Sequence, residues 1–260
     1  MNILDKIIAT KRIEVAAQKK AVPIIELEKY SLFSRKCNSL KANLIKENSS
    51  GIIAEFKQKS PSKGDINLNV KIEEVTKSYV DAGVSGLSVL TDSEYFGGSL
   101  SNLTKARETN LNIPILRKDF MIDEYQIIET KAFGADVILL IAACLEKEQA
   151  TILAQKAKQL GMDVLMEIHN EKELEIINDF VDIVGVNNRN LKTFEVDIET
   201  SVNLSELISD KFVKISESGL SDAKTIRYLR KAGFKGFLVG ETFMKTDNPG
   251  EACKKLILEL

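Results

Sequence analysis

The sequence predicts an α/β fold, a closed (β/α)8 TIM barrel with an N-terminal helical extension over the barrel mouth. Eight short apolar runs rich in β-branched residues recur between residues 52 and 239, about one every 26 residues. Polar stretches with helical periodicity lie between them. This alternation indicates a parallel sheet covered by helices, and eight units in one chain of 260 residues favour closure into a barrel.

The strands are expected where the apolar runs are shortest and richest in Val, Ile and Leu. They are Ile52–Lys57, Gly86–Leu90, Ile113–Lys118, Val137–Ile141, Val164–Ile168, Ile183–Asn187, Val213–Ser216 and Gly236–Val239. An open doubly wound sheet is the alternative, and it would carry a glycine-rich dinucleotide loop after the first strand. The loop Ser60-Pro-Ser-Lys-Gly64 does not have that pattern.

Helices are expected between the strands, several of them closed by a glycine just past the last turn. The clearest are Lys71–Ala82, Asp123–Phe133, Glu146–Leu160, Glu171–Phe180, Asp222–Ala232 and Gly250–Leu260. Pro249 suits the first turn of the last of these.

Residues 1–46 precede the first strand and are predicted to be a helical extension of the same domain, with the catalytic barrel at 47–260. A helix over Asp5–Lys20 has a short apolar stripe that Lys11 interrupts. Pro23 ends this helix, and Ile24–Tyr30 forms a second one. The extension either packs on the outside of the core or caps one end of it.

Composition excludes several classes of protein. Lys and Arg number 36 and Asp and Glu 38, so no basic excess indicates nucleic acid or an anionic membrane as a partner. No apolar run is long enough for a membrane span, and the N-terminus lacks the hydrophobic region of a signal peptide. Cys37, Cys144 and Cys253 form no metal-binding or disulfide pattern. We therefore expect a cytoplasmic enzyme or binding protein without a metal.

Charged and polar residues concentrate where the strands end. Glu55 and Lys57 alternate on the first strand and so share a face, just before a Ser/Gly loop. In such a barrel the carboxyl ends of all strands meet at the active-site mouth. The polar residues at these ends are Glu55, Lys57, Ser60, Asp92, Lys118, Glu167, His169, Asn187, Arg189, Glu217, Ser218 and Glu241.

Two lysines and several glutamates at one mouth suit general acid–base catalysis. Each lysine alone is more often part of a salt bridge than a catalyst, and the prediction rests on the whole set. A Schiff-base role for Lys57 or Lys118 stays open. His169 follows a strand directly and is expected to help start the next helix.

The last two strand ends indicate a phosphate site. Loops in this position often bind phosphate through backbone N–H groups and the start of a short helix, here Thr242–Lys245. Gly219 and Gly240 would let the backbone approach closely, and Glu241 is expected to present its N–H and not its carboxylate. The alternative is two ordinary turns between strand and helix.

Apolar residues in the mouth loops could line a pocket for an aromatic group, or simply pack the loops together. The candidates are Tyr95, Phe96, Phe120, Leu139 and Leu191.

The motifs together resemble the indole-3-glycerol-phosphate synthase family nearly from end to end. They include Ile53-Ala-Glu-Phe-Lys57, Ser60-Pro-Ser-Lys-Gly64, Leu116-Arg-Lys-Asp-Phe120, Glu167-Ile-His169, Gly185-Val-Asn-Asn-Arg-Asn-Leu191, Ser216-Glu-Ser-Gly219 and Val239-Gly-Glu241. The departures are mild: Phe56, Gln58, Lys59 and Thr242-Phe-Met replace residues that are more common in the family, and none is a catalytic position.

The resemblance implies ring closure of 1-(2-carboxyphenylamino)-1-deoxyribulose 5-phosphate to indole-3-glycerol phosphate, with loss of carbon dioxide and water. It implies no cofactor, and an N-terminal segment lying over the mouth. It assigns the proton donor at the ribulose carbonyl to Lys118.

The resemblance also suggests roles for the other mouth residues. Lys57 and Glu167 would share the dehydration, Glu55 would position Lys57, and Asn187 would bind the polar part of the substrate. The phosphate and charge network would comprise Ser60, Arg189, Glu217, Ser218, Gly219, Gly240 and Glu241. The ring pocket would comprise Pro61, Phe96, Phe120, Leu139 and Leu191.

Two other functions stay open. A phosphoribosylanthranilate isomerase would use a cysteine and an aspartate, and no cysteine lies at the first strand end. A non-catalytic barrel that binds phosphorylated sugars is the other. We expect a monomer with a small phosphorylated substrate and no nucleic acid or membrane partner; contact with neighbouring tryptophan-pathway enzymes stays open.

Overall fold

The structure is a computed structural model that describes residues 3–260, and it contains the predicted closed barrel of eight parallel strands. The strands follow the chain around the barrel, and the last one pairs with the first, for example Ile53 with Leu238. The barrel strands are β1 (Ile52–Phe56), β4 (Gly86–Leu90), β5 (Ile115–Lys118), β6 (Val137–Ile141), β7 (Asp163–Ile168), β8 (Ile183–Asn187), β9 (Val213–Glu217) and β10 (Gly236–Val239).

Every predicted strand is present to within two residues at each end. The largest shift is at β5, which begins at Ile115 and not at Ile113. Pro114 explains this shift because it has no N–H to donate to a neighbouring strand. The remaining strands, β2 (Lys59–Ser60) and β3 (Gly64–Asp65), form a small antiparallel hairpin in the first mouth loop, which the sequence did not predict.

Helices surround the barrel. They are α4 (Ile72–Asp81), α5 (Leu100–Thr109), α6 (Glu124–Ala132), α7 (Lys147–Gln159), α8 (Glu199–Ser205), α9 (Ala223–Lys231), α10 (Glu241–Met244) and α11 (Pro249–Leu258), with short 3-10 turns at Ala142–Cys144 and Glu171–Ile176. None of the helices within residues 3–260 is long and apolar enough to cross a membrane.

One helix prediction was wrong. The segment Glu171–Phe180 forms only the 3-10 turn that ends at Ile176. Beyond it, the Asn178 side chain accepts a hydrogen bond from the N–H of Phe180 at 3.1 Å. Such a local bond offers the backbone an alternative to helix, and the chain turns towards β8.

The N-terminal extension contacts both ends of the barrel. Helix α1 (Ile3–Ala21) lies at the mouth, as expected of a cap, and α2 (Ile24–Leu27) is shorter than predicted. A further helix, α3 (Leu40–Ile45), lies at the opposite end. There Leu40 packs against Gly86, the first residue of β4, so closely that a Cβ on Gly86 would stand 2.6 Å from it.

Helix α3 therefore closes the bottom of the barrel. Leu40 and Leu44 are buried in one cluster with the inward-facing side chains of the strands. Ser39 caps the helix and donates a hydrogen bond to Asp163 at the start of β7, at 2.8 Å. The bottom is thus sealed by apolar side chains, which leaves the mouth as the open end.

Candidate active site

A cavity of about 560 Å³ opens at the carboxyl ends of the strands. Every residue to which the family resemblance gave a role lines this one cavity, whereas Asp92, Tyr95 and His169 do not. The residues with such a role are Glu55, Lys57, Ser60, Pro61, Phe96, Phe120, Lys118, Leu139, Glu167, Asn187, Arg189, Leu191, Glu217, Ser218, Gly219, Gly240 and Glu241.

Lys118 lies at the centre of the charged side of the cavity. Its Nζ is 2.8 Å from Glu167 and 2.6 Å from Glu217, and all three side chains are largely buried. Burial alone would lower the pKa of Lys118, but the two carboxylates outweigh burial and raise that pKa above its ordinary value. Lys118 therefore carries its proton, although the same two carboxylates make that proton harder to give up.

The two carboxylates on Lys118 differ in character. Burial works against the charge of Glu167, but Lys118 and His169 outweigh it and hold the pKa of Glu167 well below its ordinary value. At Glu217, burial raises the pKa to about 7; Lys118 opposes this rise and the charge of Glu167 adds to it. Two neighbouring carboxylates with separated pKa values are the arrangement in which one stays ionised while the other can carry a proton.

A second ion pair lies on β1. Lys57 Nζ is 2.9 Å from Glu55 Oε1, as expected for alternate residues of one strand end. Ser88 donates a hydrogen bond to the other oxygen of Glu55 at 3.4 Å. A Cβ on Gly240 would stand only 2.7 Å from Glu55, so glycine at 240 leaves room for this carboxylate. From the sequence alone, glycine at 240 was expected only to let the backbone approach a phosphate closely.

Asn187 and Arg189 stand on the β8 side of the cavity. The Asn187 amide donates a hydrogen bond to Glu167 at 3.0 Å, and its oxygen accepts one from the Arg189 N–H at 3.0 Å. The Arg189 guanidinium donates to the carbonyl of Phe194 at 3.1 Å. Asn187 and Arg189 thus line the cavity, and their hydrogen bonds also stabilise its wall on the β8 side.

The neighbouring wall, at the ends of β9 and β10, has features that suit an anion. Ser218 and Gly219 both have left-handed backbone conformations, with φ of 68° and 75°. This conformation is costly for serine, and such strain is concentrated at functional sites. Helix α10 follows Gly240 here, one residue earlier than predicted. Lys63 and Lys245 also line this wall, and Lys63 Nζ is 3.6 Å from Glu241.

The apolar side combines two mouth loops and the cap. The rings of Phe96 and Phe120 lie 6.1 Å apart in a tilted arrangement. Ile3, Leu4 and Ile7 of α1 line the same cavity. These three residues were not among the site residues predicted from the sequence, although their helical spacing on an apolar face was a usable signal. Tyr95, another candidate for this pocket, instead lies 3.1 Å from the Thr10 hydroxyl of α1.

Lys11 has a role that its place in the sequence does not reveal. It had been considered only an interruption of the apolar stripe, but its side chain is buried. Its Nζ lies 2.8 Å from Asp92 Oδ2 and 3.0 Å from Asp119 Oδ1. Asp119 directly follows Lys118 in the chain, so the cap helix is tied to the strand end that carries the central lysine.

His169 does not cap the next segment, contrary to expectation, because the Asn170 side chain does so by accepting from the Lys172 N–H at 3.1 Å. The ring of His169 is instead buried between two carboxylates. Its Nδ1 lies 3.1 Å from Glu173 Oε2 and its Nε2 lies 3.2 Å from Glu167 Oε1, the latter outside hydrogen-bonding geometry.

The fold and the cavity define the class of protein. A (β/α)8 barrel that gathers a protonated lysine, paired carboxylates and glycine-containing loops at its mouth has the features of a barrel enzyme suited to acid–base chemistry on an anionic substrate. Solved structures share the fold at 14% identity. A 3-hexulose-6-phosphate synthase from Salmonella typhimurium has a TM-score of 0.65 over 81% of this chain and 98% of its own. A tryptophan synthase subunit alpha from Legionella pneumophila has 0.62 over 85% and 96%.

Sequence comparison identifies the family. Residues 4–256 match the model of the family described as indole-3-glycerol phosphate synthase. An indole-3-glycerol phosphate synthase from Bacteroides thetaiotaomicron is 48% identical over 98% of both chains, and one from Polynucleobacter asymbioticus is 42% identical over 98% of both. The chain belongs to the indole-3-glycerol phosphate synthase family, whose members are carboxy-lyases of tryptophan biosynthesis. The family predicted from the sequence motifs is confirmed.

Proposed function

We propose that the cavity closes the pyrrole ring of 1-(2-carboxyphenylamino)-1-deoxyribulose 5-phosphate, releasing carbon dioxide and water to give indole-3-glycerol phosphate. The observation that carries this proposal is the position of Lys118, a protonated lysine held between Glu167 and Glu217. It lies in a cavity that has an apolar side for an aromatic ring and a wall suited to a phosphate.

The first step forms the carbon–carbon bond. The ring carbon that bears the carboxylate attacks the ribulose carbonyl carbon, and Lys118 donates a proton to the carbonyl oxygen. The protonated state of Lys118 supports this role because a proton donor must carry its proton before the reaction begins. Loss of carbon dioxide then returns its electron pair to the ring and restores aromaticity.

The second step removes water. The new hydroxyl leaves as one group protonates it, and a second group takes a proton from the adjoining carbon, which completes the double bond. Lys57 and Glu167 divide these two tasks. The ion pair of Lys57 with Glu55 and the ionised state of Glu167 support the pair as acid and base.

Substrate placement follows from the two walls of the cavity. Pro61, Phe96, Phe120, Leu139 and Leu191 take the aromatic ring. The phosphate lies against the backbone N–H groups of Ser218, Gly219, Gly240 and Glu241, with Ser60 and Lys57 beside it. Asn187, Arg189 and Glu217 hold the charge network around the sugar hydroxyls.

The chain acts as a monomer in the cytoplasm, with residues 1–46 and 47–260 in one domain. A single chain supplies every residue that lines the cavity. All three cysteines are free, which suits a reducing compartment. The neighbouring tryptophan-pathway enzymes are the partners that its substrate and product would bring into contact with it.

The test is direct. The purified chain is incubated with the carboxyphenylamino substrate, and indole fluorescence is followed. Fluorescence that grows with time and scales with protein concentration supports the proposal. Saturable binding of the substrate without any fluorescence gain would instead favour a barrel that only binds phosphorylated sugars.

A further inference from the structure

The only histidine of the chain, His169, is buried one residue beyond the end of β7, and its ring lies between two carboxylates. On one side Glu173 is held in place by two other bonds. Its Oε2 accepts from the His169 backbone N–H at 2.7 Å, and its Oε1 accepts from the Asn170 amide at 2.6 Å. Because Glu173 is fixed, Nδ1 of His169 has a fixed partner at 3.1 Å.

On the other side the ring faces the catalytic cavity through Glu167. Nε2 lies 3.2 Å from Glu167 Oε1, within ion-pair distance but outside hydrogen-bonding geometry, and the same oxygen accepts a hydrogen bond from Asn187. The second oxygen of Glu167 accepts from Lys118 at 2.8 Å. His169 therefore contacts a carboxylate, that of Glu167, whose two hydrogen-bond donors, Lys118 and Asn187, are both candidate catalytic residues.

We propose that His169 is a positioning residue, whose ring, anchored by Glu173, holds Glu167 facing Lys118 and Asn187. This inference rests on the proposed function, in which Glu167 takes part in the dehydration. An imidazole fixed by one carboxylate and directed at another sets the orientation of the second, as in other acid–base sites. His169 does not itself touch the substrate.

The charge state of the ring follows from its surroundings. Burial lowers the pKa of His169, but Glu167 and Glu173 outweigh burial and raise that pKa to about 9. Cys144 lies in the same surroundings, and burial together with Glu167, Glu173 and Asp5 raises the pKa of its thiol, so it stays neutral. The ring is thus an imidazolium near pH 7, and it favours the ionised form of Glu167.

A single histidine makes the proposal directly measurable. In the full-length chain labelled with 15N-histidine, NMR follows one ring as pH is changed. We expect that ring to titrate near pH 9, and its pKa to fall when Glu167→Gln removes the charge that it faces. A ring that titrates near its ordinary value, or whose pKa is the same in Glu167→Gln, overturns the proposal. This measurement needs no turnover and stands apart from the proposed reaction.

Kinetics supply the second test. In His169→Gln we expect kcat to fall about 10-fold or more, because small displacements of a catalytic group are costly, while KM changes by less than about threefold. The acidic limb of the kcat–pH profile should move to higher pH. Glu173→Gln should show a smaller loss of the same kind.

The matched control is Asn170→Ala, which removes the cap of the same segment and a bond to Glu173 but leaves the ring against Glu167. We expect its kcat to stay within about twofold of the wild-type value. If Asn170→Ala loses as much kcat as His169→Gln, or if His169→Gln keeps wild-type kcat, then His169 only stabilises the local fold and the proposal fails.

Discussion

Lys11 Nζ lies 3.0 Å from Asp119 Oδ1, so a residue of the cap helix is bonded to the neighbour of the central catalytic candidate, Lys118. Both charges are almost completely shielded from water, and Asp119 also accepts hydrogen bonds from Thr91 at 2.6 Å and Arg117 at 3.1 Å. The cap therefore joins the barrel through a buried ionic network and not through apolar contact alone.

Replacing Lys11 by Met should destabilise the protein strongly. The variant leaves the buried Asp92 without a charged partner and removes one of the two cations that Asp119 contacts, and breaking a buried ion pair costs about 3–5 kcal/mol. The free energy of unfolding in urea measures this. The control is Lys19→Met on the same helix, whose pair with Asp123 is exposed and contributes about 0–1 kcal/mol. Equal losses in the two variants would contradict a buried role for Lys11.

Replacing Lys118 by Ala should lower kcat by at least about 100-fold, because the proton donor for ring closure is lost. Steady-state indole fluorescence gives the rate, and circular dichroism verifies that the barrel has folded. The control is Lys158→Ala, which removes a lysine paired with Asp182 outside the cavity and should keep wild-type kcat. Wild-type turnover in Lys118→Ala would show that another group donates the proton.

Removing the Ser218 hydroxyl should weaken substrate binding more than it slows turnover, because a phosphate contact is made equally in the ground and transition states. Alanine at 218 must also adopt a left-handed φ of about 68°, which glycine adopts freely. We therefore compare Ser218→Ala with Ser218→Gly. Equal increases in KM assign the effect to the hydroxyl, whereas a change confined to kcat contradicts the phosphate assignment.

Glu217 should make stability depend on pH. Burial raises the pKa of Glu217 in the folded protein to about 7, well above its value in the unfolded chain. A raised pKa stabilises the folded state fully below the unfolded value, and that stabilisation is lost as pH rises through about 7. Between those limits the loss approaches about 1.4 kcal/mol per pH unit. Urea unfolding at pH 5 and pH 8 should show wild type losing stability relative to Glu217→Gln; a constant difference would refute this.

Leu40→Ala should cost about 2–5 kcal/mol by opening a cavity at the bottom of the barrel, where this side chain is fully buried. Ile45→Ala on the same helix truncates a side chain that is 60% exposed, and its effect should stay within about 0.5 kcal/mol. Thermal unfolding of both variants measures the contrast. Similar melting temperatures would mean that α3 does not seal the barrel.

The strands and the mouth residues could be predicted from the sequence because each depends on local order. A buried parallel strand is a continuous apolar run, and its carboxyl end is marked by the first charged residues, as at Glu55 and Glu167. The features that could not be predicted depend on contacts with residues far away in the chain. Lys11 pairs with Asp92 and Asp119, which lie more than about eighty positions later in the chain. Nothing near Lys11 in the sequence distinguishes a buried lysine from a solvated one.

Short elements also escaped prediction. The hairpin Lys59–Ser60 with Gly64–Asp65 has two residues a strand, too few to show a period. Helix α3 spans only six residues, and its role in closing the barrel depends on contacts with the first residues of distant strands, such as Gly86 and Gly236. The position of His169 behind Glu167 depends on side-chain direction at the end of β7, which spacing alone does not give.

Helix α3 also constrains how the molecule is made. Leu44 packs against Gly236, the first residue of the last barrel strand, so this contact joins the beginning of the chain to its end. On the ribosome, the segment that carries Leu40 and Leu44 emerges early, and its contact with Gly236 cannot form until β10 has been synthesised. Its apolar face is therefore only partly covered while the later strands are being made, and incomplete burial of this kind exposes a nascent chain to aggregation.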